Sequence, residues 1–148
     1  MITSVSTLLE HKGSKVFSVP SDVTVCEAVQ EMNRDKVGAV VVLEDGKLAG
    51  IFTERDVLVR VVAAGLNPEK TPIKQVMTRD PVTVESTTTV DQVMTLFTDK
   101  RFRHLPVVDQ GKLVGLVSSG DILRRMVDAH RLEADQLKQY ITTGGYPS

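Results

Sequence analysis

"DGKLAGIFTERDVL", residues 45–58, and "QGKLVGLVSSGDIL", residues 110–123, are two versions of one pattern. From Gly50 and Gly115 onward each runs glycine, apolar pair, hydroxyl residue, two variable positions, aspartate, apolar pair. A shift of 65 positions lays the chain on itself without a gap, matching Gly46, Lys47, Leu48, Gly50, Asp56 and Leu58 to Gly111, Lys112, Leu113, Gly115, Asp121 and Leu123. The same shift places "TVCEAVQEM" on "TVDQVMTLF" and "GAVVVLED" on "RHLPVVDQ". Agreement held in one register over this length marks an internal duplication.

Both copies order their elements alike. Val25, Ala28, Val29 and Met32 fall on one face of a helix. "AVVVLEDGKLAGIF" reads as two short strands around Asp45-Gly46, a hairpin turn pair. "TERDVLVRVVAAG" reads as a helix started by Thr53 and ended at Gly65. Short apolar runs at Lys15–Val19 and Val82–Val84 predict one more strand ahead of each copy, and Pro68 and Pro72 bracket the link. The division expected is an amino-terminal segment 1–14, a first repeat 15–66, a linker 67–78, a second repeat 79–128 and a tail 129–148. Each repeat leaves one apolar sheet face uncovered. Burial at about 25 cal/mol per Å2 drives the two together sheet to sheet. The predicted class is α+β, two pseudo-symmetric β-α-β-β-α repeats with a long carboxy-terminal helix.

The bulk composition narrows the function. The 148 residues carry a net charge of −1, with 41% hydrophobic and 25% charged residues, which disfavours a nucleic-acid binder with its basic face. Cys26 is the sole cysteine, so no intrachain disulfide forms and a reducing compartment is expected. No apolar run reaches membrane-span length and the amino terminus lacks a signal pattern, so a soluble cytoplasmic protein with no membrane partner is expected. The three histidines show no metal spacing, and no metal site is expected. Nor is there a nucleophile with a base near it in sequence, or a P-loop, so the chain is not read as an enzyme. Cys26 reads as a small packed residue.

Thr53 and Asp56, and Ser118 and Asp121, admit two readings. Thr-x-x-Asp is a helix N-terminus signature, the hydroxyl capping and the carboxylate favoured by the helix dipole. The alternative is a ligand grip, with the glycines at 50 and 115 marking a close approach by another group or tight packing. The two are compatible, since a capping hydroxyl can still donate outward. A carboxylate at a helix start repels phosphate and accepts from paired donors such as ribose hydroxyls. Arg103 and His104 read either as a solvated strand edge or as phosphate partners, with Arg55 beside Asp56.

The repeat order together with the "DGKLAGIFTERD", "QGKLVGLVSSGD", "RHLPVVD" and "VMTRDPVTV" blocks resembles tandem cystathionine-β-synthase (CBS) domains across about residues 15–130. The tail is similar to that of stand-alone CBS pairs from bacteria and plant organelles. The resemblance implies adenosine-nucleotide binding, with AMP, ADP, ATP or NAD(H) as ligand, in clefts between the repeats. By similarity to the nucleotide-binding γ subunits of AMP-activated protein kinase, one cleft joins Thr53, Arg55 and Asp56 to Thr88, Phe102, Arg103 and His104. The other joins Ser118 and Asp121 to Ala28, Val37, Gly38 and Ala39. The adenine is expected against Val37 and Ala39 or Phe102. Phosphates are expected mainly in the first cleft, because the second faces only Gly38 and Ala39. S-adenosylmethionine suits the basic pair less well. The resemblance also implies a homodimer through the long last helix, whose apolar positions run from Ile122 and Leu123 through Met126, Val127, Leu132 and Leu137 to Ile141. The competing expectation is a nucleotide-independent interaction protein with a redox partner such as thioredoxin.

Overall fold

The computed structural model describes residues 3–12, 15–100 and 102–143. In chain order these form α1 (Val5–Lys12), β1 (Ser18–Pro20), α2 (Val25–Asp35), β2 (Ala39–Glu44), β3 (Lys47–Thr53), α3 (Glu54–Asp56), β4 (Thr78–Arg79), α4 (Val90–Lys100), β5 (His104–Asp109), β6 (Lys112–Ser118) and α5 (Ser119–Thr143). One sheet has the order β1-β2-β3-β4 and the other is the pair β5-β6.

The duplicated hairpins form as expected, on turns whose central residues both need positive φ. Asp45 and Gly46 sit at 52° and 77°, Gln110 and Gly111 at 50° and 79°. This primed geometry matches the twist of the flanking strands. Even the register shift recurs, between Val42 and Leu43 and again between Val107 and Val108. Thr24 caps α2 by accepting from the Glu27 N–H, and α2 buries Val25, Ala28 and Met32.

Alternation along the strands sorts the two faces of each sheet. Val40, Val42 and Phe52 join the helices in the first core, and Leu105, Val107 and Val117 do so in the second. The intervening positions Val41, Ile51 and Pro106 are also buried, on the opposite face. There β3 lies against β6, so the repeats meet sheet to sheet.

The stretches read as lying outside the repeats complete both cores, and they do so crosswise. Residues 71–77 dock on the first repeat: Ile73 donates to the Val23 carbonyl, Val25 donates to that of Thr71, and Ile73, Val76 and Met77 enter its core. Residues 3–9 dock on the second: Val5 donates to the Thr88 carbonyl, Val90 donates to that of Thr3, and Val5 and Leu8 enter its core. Each lead-in therefore packs on the repeat that does not directly follow it.

The two duplicated glycines explain themselves here. A Cβ on Gly50 would lie 2.7 Å from the Thr78 carbonyl oxygen and from Met77 Sδ, because β4 pairs along that edge of β3. A Cβ on Gly115 would lie 2.7 Å from Leu9 Cδ2, because α1 covers the same edge of β6. Tight packing is what both glycines permit.

Two elements differ from expectation. The helix begun at Thr53 is α-helical only over Glu54–Asp56, then widens into a π-helical turn, Val57–Val62, where the Ala63 N–H reaches the Leu58 carbonyl. The strand expected at Val82–Val84 is a single bridge from Val84 to Val107; Pro81, just ahead, has no N–H to extend it.

Candidate functional site

Each repeat ends β3 or β6 on a hydroxyl residue that caps the next helix, and both caps are reciprocal. The Thr53 N–H donates to Asp56 Oδ2 at 2.9 Å while the Asp56 N–H donates to Thr53 Oγ1 at 3.2 Å. The Ser118 N–H donates to Asp121 Oδ2 at 2.8 Å and the Asp121 N–H to Ser118 Oγ at 3.1 Å. The motif is a capping box, and both copies open onto clefts at the seam.

The first cleft, about 630 Å3, brings together Thr53, Arg55 and Asp56 from one repeat with Phe102, Arg103 and His104 from the other. Thr88 is not among them. It sits at the turn before α4, its hydroxyl accepting from the Glu85 N–H, in a separate groove with Gln92 and Gln110 of its own repeat. The second cleft, about 280 Å3, brings Val37, Gly38 and Ala39 to Ser118 and Asp121. Ala28 is not there either: it lies on the inner face of α2 with no exposure, where the helix meets its own sheet.

The second cleft is far more basic than its repeat partner suggests. Besides Gly38 and Ala39 it contains Lys12, Lys15, Lys36 and Arg124. The reason given for placing phosphates in the first cleft therefore fails. Arg124, one helical turn from Asp121, carried a sequence signal. Lys12 did not, because only the crossed lead-in carries it into the cleft.

The two carboxylates also differ in company. Asp56 has Arg60 Nε at 3.5 Å, and Arg60 Nη1 donates to the Val76 and Met77 carbonyls, tying the docked lead-in to the cap. Asp121 is held by Lys12 Nζ at 2.8 Å and by the Arg124 guanidinium, while Lys12 Nζ also donates to the Leu116 carbonyl at 2.6 Å. Arg125 occupies the position equivalent to Arg60, yet its Nε is buried with no hydrogen-bond partner among the described residues. Burial pushes the Asp121 carboxyl up, but Lys12 and the Ser118 N–H outweigh it and hold it below the ordinary range.

His104 lines both clefts. Burial, then the Lys12 charge, push its imidazole below the usual histidine range, against the opposing pull of Asp121 and Glu54. Among the described residues no three His, Cys, Asp or Glu side chains gather as metal ligands, and no helix is long and apolar enough to cross a membrane.

Comparison with known proteins agrees with this architecture. The CBS domain profile matches residues 11–63 and 73–128. The mitochondrial CBS domain-containing protein CBSX3 of Arabidopsis thaliana is 38% identical over 97% of this chain and 74% of its own length. The CBS-domain protein ATU1752 of Agrobacterium tumefaciens superposes with a TM-score of 0.79 at 39% identity, over 84% of this chain and 99% of that one. The CBS domain pair of MJ0100, crystallised with 5′-methylthioadenosine and S-adenosyl-L-methionine, superposes at 0.77 with 27% identity, over 87% of this chain and 99% of that one. Two matched repeats, two reciprocal caps and a shared seam lead to one statement: the chain belongs to the CBS domain family, as a tandem pair.

Proposed function

We propose that this protein is a regulatory module that binds an adenosine nucleotide, AMP, ADP, ATP or NAD(H), in the clefts between its two repeats, and that it has no catalytic step of its own. The observation that carries the reading is the pairing of a hydroxyl and a carboxylate at the mouth of each cleft, opposite residues of the other repeat. A carboxylate beside a helix start is a natural acceptor for two ribose hydroxyls. In the first cleft Phe102 offers an apolar face for the base, with Arg55, Arg103 and His104 at hand for an anionic group. The adenosine ligands of MJ0100 support the same class of occupant. A ligand touching both repeats biases their arrangement to the extent that it binds one arrangement better than another.

The helices that follow the caps are suited to transmit such a bias. Leu58 and Val62 after the first cap, and Leu123 and Val127 after the second, are exposed at equivalent positions. A second copy of the chain is the occupant this reading gives them, making a homodimer whose interface reports on the clefts. Side chains of residues 139–143 lie outside those described, so Ile141 is not assigned to it. The compartment in this reading is the cytoplasm, although the CBSX3 relative is mitochondrial by name.

Calorimetric titration of AMP, a monophosphate, into the parent and into Asp56→Ala tests the proposal at the first cleft. Loss of the carboxylate is expected to weaken nucleotide binding by about 1.5–3 kcal/mol, the worth of hydrogen bonds to a charged group. Unchanged affinity would remove Asp56 from the site. A nucleotide-independent interaction with a thioredoxin-like partner would show itself as binding indifferent to every nucleotide added.

A further inference from the structure

We infer that the second cleft, not the first, is the site for an adenosine polyphosphate, and that Lys12 and Arg124 pass from Asp121 to the phosphates when it binds. This rests on the nucleotide reading above. The charges of the two clefts are unlike. In the first, Arg55 and Arg103 are balanced by Glu54 and Asp56. In the second, Lys12, Lys15, Lys36 and Arg124 face Asp121 and the Glu54 carboxylate that lies beside Gly38, so the cations still outnumber the carboxylates by two. Lys15 and Lys36 are exposed and have no carboxylate partner among the described residues; Lys15 Nζ rests over the Phe17 ring, 4.9 Å from its centroid. An uncharged adenosine gives such an excess nothing to neutralise, whereas a di- or triphosphate does.

Arg125 supplies the second, independent observation. Arg60 Nε reaches Asp56 across one helical turn, but the equivalent Arg125 Nε is buried without a partner, because Lys12 and Arg124 already hold Asp121. A buried unpaired donor is costly. If Lys12 and Arg124 move to phosphate oxygens, Arg125 can take the carboxylate in the arrangement already seen at Asp56. The anion thus draws two cations off Asp121 without stranding it, and its lone pairs open toward the ribose.

The experiment is titration of ATP, adenosine and inorganic tripolyphosphate, at 50 and 500 mM salt, into the parent, Lys15→Ala/Lys36→Ala and Arg55→Ala/Arg103→Ala. Circular dichroism melts check that each variant is folded. The parent should prefer ATP to adenosine at least tenfold at low salt, and the preference should shrink at high salt as the exposed lysines are screened. Lys15→Ala/Lys36→Ala should lose about tenfold in ATP affinity and less than twofold in adenosine affinity. An unchanged ATP preference in that variant, or its loss in the Arg55/Arg103 variant instead, overturns the assignment while leaving the nucleotide reading intact. Tripolyphosphate binding that depends on Lys15 and Lys36 when neither adenosine nor ATP is preferred over it sinks the nucleotide reading and keeps a polyanion site. Failure of all three probes to bind the parent sinks both.

Discussion

The two repeats solve one problem by different means. The free edge of β3 is closed by a strand, β4, whereas the same edge of β6 is closed by a helix, α1. An unpaired strand edge needs a cover, and either cover meets that need. The helix brings something the strand does not. Its last residue, Lys12, donates to the Leu116 carbonyl at the edge and then reaches Asp121. The strand leaves Asp56 to Arg60 alone at 3.5 Å. A difference in how an edge is covered thus becomes a difference in charge between two otherwise matched clefts.

The comparison breaks first at the crossed lead-ins. Ile73 and Leu8 are both buried, each in the core of the repeat it does not directly precede. Truncating either to alanine should cost about 3 kcal/mol, the usual range for a buried aliphatic. The damage should be crossed as well: in native-state hydrogen exchange Leu8→Ala loosens the β5–β6 amides and Ile73→Ala those of β2–β3. Loosening on the same side as the nearer repeat in sequence would refute the crossing.

The glycines sharpen the contrast between strand and helix covers. Gly50→Ala drives a methyl group against a backbone carbonyl held in a ladder, and about 2–3 kcal/mol of destabilisation is expected. Gly115→Ala meets the end of the Leu9 side chain, which can turn aside, so about 1 kcal/mol is expected. Urea unfolding of the two variants reads the difference directly. Equal losses would mean that the helix holds its edge as rigidly as the strand does.

The smallest effect tests the residue common to both clefts. The folded-state pKa of His104 lies below its ordinary value of 6.5, so the unfolded chain binds the proton more readily. Stability from the neutral ring is complete above about pH 6.5 and declines as pH falls through the window between that value and the lower folded-state pKa. A series of thermal melts from pH 7.5 to 5 should show a decline that His104→Gln reduces. An identical decline in the variant would assign the pH dependence elsewhere.

The hairpins, caps and helices were legible because they obey local rules repeated at a constant spacing of 65 residues. Asp45-Gly46 dictates its turn wherever it stands, and Thr53 and Ser118 cap whatever helix follows. The crossed docking of the lead-ins is hidden in the sequence for a definite reason. Thr3 and Val5 correspond to Thr71 and Ile73, which is a spacing of 68 residues, so a gapless comparison separates them. The cleft contents followed suit. Arg55, Arg103 and His104 belong to the repeated blocks and were identifiable, but Lys12 reaches Asp121 from 109 residues away through a docking that no local pattern encodes. Ala28 lies apart from the cleft because its helical face is equally a core face, and Thr88 because its turn lines a groove within its own repeat.

The crossed lead-ins also govern how such a chain can be made. Residues 3–12 leave the ribosome ahead of both repeats, yet the surface that receives them is made only with the second repeat, while the first repeat waits for residues 71–79 before its own edge is closed. The first half can close on itself once residues 71–79 emerge, whereas residues 3–12 must wait for the second repeat. Maturation should therefore come in two stages, the second only after the second hairpin has emerged, and a nascent chain halted near residue 66 should remain open to protease.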